Sequence, residues 1–166
     1  MAYIIRDYRD GDAADLAQVT LAAIQAIGSV RYSEEQVAAW AARHPGAERF
    51  KARAALGAAI FVAADAEDRP VGFSLLEMNG EERGHLDMLY CHPDHTRAGL
   101  ADELLAHAEH FARAHGITRL FTEASELARR AFERAGYAVQ KRCDFTIPYE
   151  GREVAIHNYA MEKSLA

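Results

Sequence analysis

The stretch Leu89-Tyr90-Cys91-His92-Pro93-Asp94-His95-Thr96-Arg97-Ala98-Gly99-Leu100-Ala101 joins an extended run to a helix through a short polar loop. Pro93 cannot donate a ladder hydrogen bond, so the strand ends at His92-Pro93. From Ala98 onward the pattern is helical: Leu100, Ala101, Leu104, Leu105, Ala108, Phe111 and Ala112 share one face, and Gly116 after His115 is a terminator. The first turn of a helix leaves backbone N–H groups without intrahelical partners, and the helix dipole adds partial positive charge there. Main chain alone then suffices to hold a diphosphate. Gly99 lets an anion come close to the backbone, Ala101 nearly as well, and Arg97 adds a formal charge, while the helix faces direct Asp102 away from the site.

Upstream, Tyr3 to Arg6 suits a short strand, and a helical pattern follows with Ala13, Leu16, Ala17, Ala23, Ile24 and Ile27 on one side and Gly28 as its stop. Ser33-Glu34-Glu35-Gln36 has capping-box spacing and opens a second helix with Val37, Trp40 and Ala41 on one face, ended by His44-Pro45-Gly46. A short helix around Glu48 to Leu56 comes next. The period then changes to strands at Ala58 to Asp65, Pro70 to Met78 and His85 to Cys91, joined by turns at Ala66 to Arg69 and Asn79 to Gly84. These three strands run antiparallel. Beyond the long helix, Arg119 to Thr122 suits a strand, Glu126 to Ala135 a helix closed by Gly136, and Tyr137 to Pro148 with Glu153 to Glu162 a final hairpin.

No linker, repeat or low-complexity block interrupts the 166 residues, so one domain over 1–166 is expected, an α+β layer sandwich on a mixed, mostly antiparallel sheet. The net charge of -6, from 19 Lys and Arg against 25 Asp and Glu, argues against a general nucleic-acid binder, because such binding needs a basic surface. Cys91 and Cys143 are the only cysteines and lie in no CxxC pair, which suits two reduced thiols in the cytoplasm. The N-terminal residues have no charged segment followed by an apolar run, and no stretch approaches bilayer-spanning length, so neither export nor a membrane partner is expected. The apolar final strands suit pairing of two copies in a homodimer, although the sequence does not fix the oligomeric state.

Thr96-Arg97-Ala98-Gly99-Leu100-Ala101 resembles the acetyl-CoA pyrophosphate motif of the GNAT (general N-acetyltransferase) family, Gln/Arg-x-x-Gly-x-Gly/Ala, with Thr96 departing from its first position. The likeness extends to Ser125-x-x-Ala128, to Phe132-Glu133-x-x-Gly136-Tyr137, and to the ending Asn158-Tyr159-x-Met161-Glu162-Lys163. It implies a three-layer α/β/α sandwich with about seven strands, acetyl-CoA as co-substrate, no metal, and direct acetyl transfer to a small-molecule or peptide amine that the sequence does not identify. It also implies that Leu89, Tyr90 and Cys91 splay from the next strand and pair with the pantetheine arm. A backbone N–H near Leu89 or Tyr90 then faces the thioester oxygen. Thr96, Arg97, Ala98, Gly99, Leu100 and Ala101 hold the diphosphate, and Ser125 and Phe132 lie along the coenzyme.

An alkyl ammonium must lose a proton before it attacks. Glu77, Asp87, His92 and His95 are the candidate acceptors of that proton, directly or through water, although each also suits an ordinary strand or loop position. The resemblance implies a tyrosine on the helix at Glu126 to Ala135 as acid for the departing thiolate, and Phe132 stands in its place. Water, Tyr159, Tyr90 or no protein acid remain for that step. Two other readings compete: a non-catalytic acyl-CoA-binding module, favoured by Thr96 and Phe132, and a metal site made from His85, His92 and His95 with Asp87 and Asp94. On the strand, alternation separates His85 from residues an odd number of places away.

Overall fold

A computed structural model of the chain describes residues 2–44, 46–78 and 82–166, apart from the side chain of Ile27. The expected turn residues Asn79, Gly80 and Glu81, the helix stop at Pro45 and the packing of Ile27 lie outside the described residues. The elements follow in the order β1 (Ile4–Asp7), α1 (Ala13–Gly28), α2 (Glu34–Ala42), α3 (Ala47–Ala55), β2 (Ala59–Ala64), β3 (Pro70–Met78) and β4 (Arg83–Cys91). Then come α4 (Leu100–Ala114), β5 (Arg119–Ala124), α5 (Ala128–Arg134), β6 (Ala138–Tyr149) and β7 (Arg152–Ser164). The seven strands form one sheet in the order β1-β2-β3-β4-β5-β7-β6, antiparallel throughout except for β4 beside β5.

Alternation on β2 and β3 explains the layers. Ile60, Val62, Phe73 and Leu75 point to one face, where they meet Leu16 and Val19 of α1 and Phe50 of α3. Phe61, Ala63 and Leu76 point to the other, against Leu100, Leu104 and Leu105 of α4 and Phe132 of α5. Both faces of these strands are therefore dry, the arrangement expected when helices cover a sheet on two sides. Truncating the fully buried Leu105 to Ala is expected to cost about 2–5 kcal/mol, because the cavity cannot collapse between sheet and helix.

Local signals account for the boundaries. The capping box forms as the Ser33 spacing requires: the Gln36 N–H donates to Ser33 Oγ at 3.1 Å, and the Ser33 N–H to Gln36 Oε1 at 2.9 Å. α5 starts two residues later than its sequence pattern suggests, and the Glu126 N–H just before it donates to the Tyr32 hydroxyl at 2.7 Å. Ser125 Oγ accepts from the Ala128 N–H at 3.1 Å and opens the helix there. A third apolar cluster joins Val37 and Ala39 of α2 to Ile147, Val154 and Ile156 of the β6–β7 hairpin. No helix among the described residues is long and apolar enough to cross a membrane.

Candidate active site

Two features of β4 shape the site. Leu75 pairs with Met88 and Leu76 with Leu86, so Asp87 is an extra residue in a β-bulge. The bulge reverses the facing of the chain: Leu86 joins the α4 side of the core and Met88 the α1 side, although they are two residues apart. The second feature is the end of the parallel ladder. β4 pairs with β5 only at Arg83, Gly84 and His85, against Arg119, Leu120 and Phe121. Just past it, the Thr122 hydroxyl donates to the Leu86 carbonyl at 2.7 Å, and beyond that point the two strands part.

The gap opens beside Leu89, Tyr90 and Cys91. The His92 N–H donates to Val71 O of β3 at 2.8 Å. Backbone direction alternates along a strand, so Tyr90 faces β3 as well, and the N–H groups of Leu89 and Cys91 face the gap. A cavity of about 490 Å³ fills this side. Leu89, Tyr90, Cys91 and Ser125 line one part of it, and Thr96, Arg97, Gly99, Leu100 and Ala101 line another. Ala98 is not among the lining residues. Gly99 is the N-cap of the 15-residue helix α4 with φ +78°, and an added Cβ there meets no atom within 4 Å. The space over the first turn of α4 is open, and Arg97, itself at φ +62°, carries its charge beside it.

Asp102 faces the cavity, contrary to the helix-face expectation, and pairs with Arg134 of α5 at 3.3 Å. The pair is possible because α5 packs beside the start of α4, which the pattern of one helix alone does not reveal. Arg134 also lines the cavity and brings a second cation that the sequence reading passed over. Cys91 lies in the wall, and burial pushes its thiol up to about 12.

A second cavity, of about 120 Å³, meets the first at Trp40, Leu89, Tyr90, Ser125 and Ala128. Asp87, Glu123 and Phe132 stand along it, as do Arg43, His157 and Asn158. Its apolar walls come from α2 and the final hairpin: Tyr32, Trp40, Phe145, Ile147 and Ile156. Phe132 is buried and lies edge-on to Tyr137, with ring centres 5.0 Å apart. Tyr90 points its ring among Trp40, His44 and Phe73, and burial raises its hydroxyl so that it keeps its proton.

The acid and base candidates separate. Of Glu77, Asp87, His92 and Tyr159, only Asp87 lines the second cavity. Glu77 and Asp87 share the guanidinium of Arg53 from α3, with Asp87 Oδ2 at 3.0 Å. His92 caps a short 3-10 turn, where its Nδ1 accepts from the Asp94 N–H at 3.2 Å. Tyr159 donates its hydroxyl to Glu126 at 2.9 Å, under the guanidinium of Arg129.

The competing reading that groups His85, His92 and His95 divides in the structure. His92 and His95 stay together in their loop, with ring centres 5.9 Å apart, and His95 is bonded to the Tyr3 hydroxyl at 2.9 Å. His85 is bonded to Glu123 at 2.6 Å. Burial pushes the His85 imidazole down, but the Glu123 hydrogen bond and the charges of Asp87 and Glu77 outweigh it and hold the group above its ordinary value. Glu77, His85 and Asp87 offer ligand atoms within 4.8 Å of one another, yet the Arg53 guanidinium already occupies both carboxylates.

Sequence reasoning missed Glu123, Glu126, His157 and Arg43. The His157 ring bonds Glu126 at 2.6 Å, and this bond, more than any other contact, holds the Glu126 carboxyl below the usual range. Nothing local marks Arg43, which depends on where α2 docks.

The sheet thus splits between two parallel strands, with the open N-terminal turn of a long helix on one side and a polar cavity on the other, the layout of a group-transfer enzyme. The Acetyltransferase (GNAT) domain family matches residues 29–146, and the chain belongs to that family. It is 31% identical over 139 residues to the N-acetyltransferase YafP of Escherichia coli (strain K12), a match that covers 83% of each chain. A crystal structure of a GCN5-related N-acetyltransferase from Rhodopseudomonas palustris is 33% identical, covers 99% of this chain and 96% of its own, and superposes with a TM-score of 0.83. The PaiA N-acetyltransferase of Thermoplasma acidophilum, solved with coenzyme A, shares the fold at 20% identity, with 99% of each chain covered and a TM-score of 0.79. The protein is an acetyltransferase with an α+β GNAT fold.

Proposed function

We propose that the chain, as one domain over 1–166, moves the acetyl group of acetyl-CoA directly onto a small-molecule or peptide amine. The observation that carries this reading is the meeting of the two cavities at Leu89, Tyr90 and Ser125, where β4 has left β5. The diphosphate sits over the N-terminal turn of α4, gripped by main-chain N–H groups from Gly99 to Ala101 with Thr96 and Ala98 shaping the loop and Arg97 and Arg134 adding charge. The pantetheine arm extends β4 along its free edge, using the backbone of Leu89 and Cys91.

The Leu89 N–H faces the gap and donates to the thioester oxygen as it gains charge, a contact worth typically about 2.7–4 kcal/mol. Asp87, two residues upstream and in the acceptor cavity, takes the proton of the attacking ammonium, directly or through water. The N–C bond forms, the C–S bond breaks, and the thiolate leaves toward Ser125 and Phe132. Phe132 has no proton to give, so water takes the second proton of the acylated nitrogen and hands one to the sulfur. The Arg53 guanidinium between Glu77 and Asp87 supports a site that works without a metal.

A cytoplasmic location fits the two free thiols, Cys91 and Cys143. A homodimer through β6, an edge strand with one open side, belongs to the same reading, and sedimentation tests it. The enzymatic experiment is incubation of the protein with acetyl-CoA and an amine library, following free thiol. Release that depends on the amine and falls about 10²–10⁴-fold in Asp87→Asn is expected. Undiminished turnover in that variant removes Asp87 from its role.

A further inference from the structure

We propose that the acceptor is an amine bearing its own acidic group, an α-amino acid with an apolar or aromatic side chain, whose carboxylate is met by Arg43. The inference rests on the acetyl-transfer reading and adds the substrate class.

The charges around the acceptor cavity are unevenly matched. Asp87 has Arg53 at 3.0 Å, and Glu123 has His85 at 2.6 Å. Glu126, behind the cavity wall, has His157 at 2.6 Å. Each carboxylate at the floor thus holds an internal cationic or hydrogen-bonding partner. Arg43 at the end of α2 does not: it is exposed, lines the cavity, and has no carboxylate within ion-pair distance among the described residues. Its guanidinium carbon lies 5.8 Å from the centre of the Phe145 ring.

Arg49 Nη1 donates to the Arg43 carbonyl at 3.4 Å, and Arg49 itself lines a separate small cavity with His44 and Phe50, so Arg43 is the arginine that lines the acceptor cavity. Between them His44 is pushed down to about 4, by burial first and then by Arg49 and Arg43, so it adds no charge of its own at neutral pH. Arg43 is therefore the cation of this cavity left to a ligand, and a ligand that complements the cavity turns an anionic group toward Arg43 and an amine toward Asp87 and Leu89.

The apolar walls of the cavity choose the remainder of the molecule. Tyr32, Trp40, Phe145, Ile147 and Ile156 offer aromatic and aliphatic surface, which suits an uncharged side chain. An amino acid supplies a carboxylate two bonds from its nitrogen and an apolar branch at the same carbon. A peptide N-terminus supplies the amine and the side chain but an amide in place of the carboxylate. In the transfer the ammonium loses one proton to Asp87 and a second through water to the departing sulfur, the nitrogen gains the acetyl carbon, coenzyme A leaves as thiol, and the carboxylate is unchanged.

The test compares phenylalanine, leucine and methionine with their carboxamides and decarboxylated amines, using the full chain, acetyl-CoA and thiol release. The free acids are expected to have kcat/KM at least about tenfold above the amides and amines, the range of a hydrogen bond to a charged group. In Arg43→Met that ratio falls toward one through a rise in KM for the acids, and Arg43→Lys recovers part of it. Equal or faster turnover of the amides or amines by the wild type overturns the substrate class and leaves acetyl transfer standing. A ratio unchanged in Arg43→Met gives Arg43 only the role of a charge at the C-terminal end of α2 and overturns its part here. No thiol release from any of these compounds, while coenzyme A binds, overturns the inference, and release with other amines in the library keeps the transfer reading alive.

Discussion

His85 lies flat against Phe121, with ring centres 4.4 Å apart and planes 2° from parallel, on the last rung that joins β4 to β5. On the ring of Phe121 also rests the guanidinium of Arg83, 3.8 Å from its centre. The split in the sheet therefore starts at a riveted point. Phe121→Ala is expected to cost about 2 kcal/mol, less than a fully buried Phe because the ring is partly exposed, and to lower the melting temperature by about 4–8 °C. Thermal denaturation in both proteins checks this.

The same histidine makes stability depend on pH. Its folded-state proton affinity is raised, since the Glu123 bond and the nearby carboxylates outweigh burial. The stabilisation is fully present below the unfolded value of about 6.5 and is lost as pH rises through the higher folded value. The gap in melting temperature between wild type and His85→Asn should shrink between pH 6 and pH 8.5, and Glu123→Gln should flatten the change. A gap that widens with rising pH refutes the sign.

Cys91 should be a slow thiol. Burial in the wall of the coenzyme cavity raises it to about 12, so at pH 8 its thiolate fraction lies roughly a thousandfold below that of a free cysteine. In Cys143→Ser, native modification by a thiol-specific disulfide reagent should be slower than that of a free cysteine and slower still with coenzyme A bound, and labelling at the rate of a free cysteine would contradict the raised thiol.

Much of this arrangement was legible in the sequence. The period of Leu100 to Ala112, the capping spacing at Ser33 and Gln36, and the Pro93 break determine elements through interactions a few residues long, and the structure places them as read. The bulge at Asp87 was not legible, because a one-residue excess in a register exists only between two strands. Asp102 was misdirected for a similar reason: its partner Arg134 reaches it from α5. Arg43, Glu123 and His157 come together only when α2, β5 and β7 have docked, and no spacing along the chain connects them.

The α4 turn carries the whole account, and coenzyme A binding by wild type and Gly99→Glu tests it most directly. The glutamate adds strain at φ +78° and a negative charge in the open space over the turn. Calorimetry and thermal shift should give binding and a raised melting temperature for the wild type, and neither for a folded Gly99→Glu protein. Equal stabilisation of the two by coenzyme A would contradict the proposed diphosphate site.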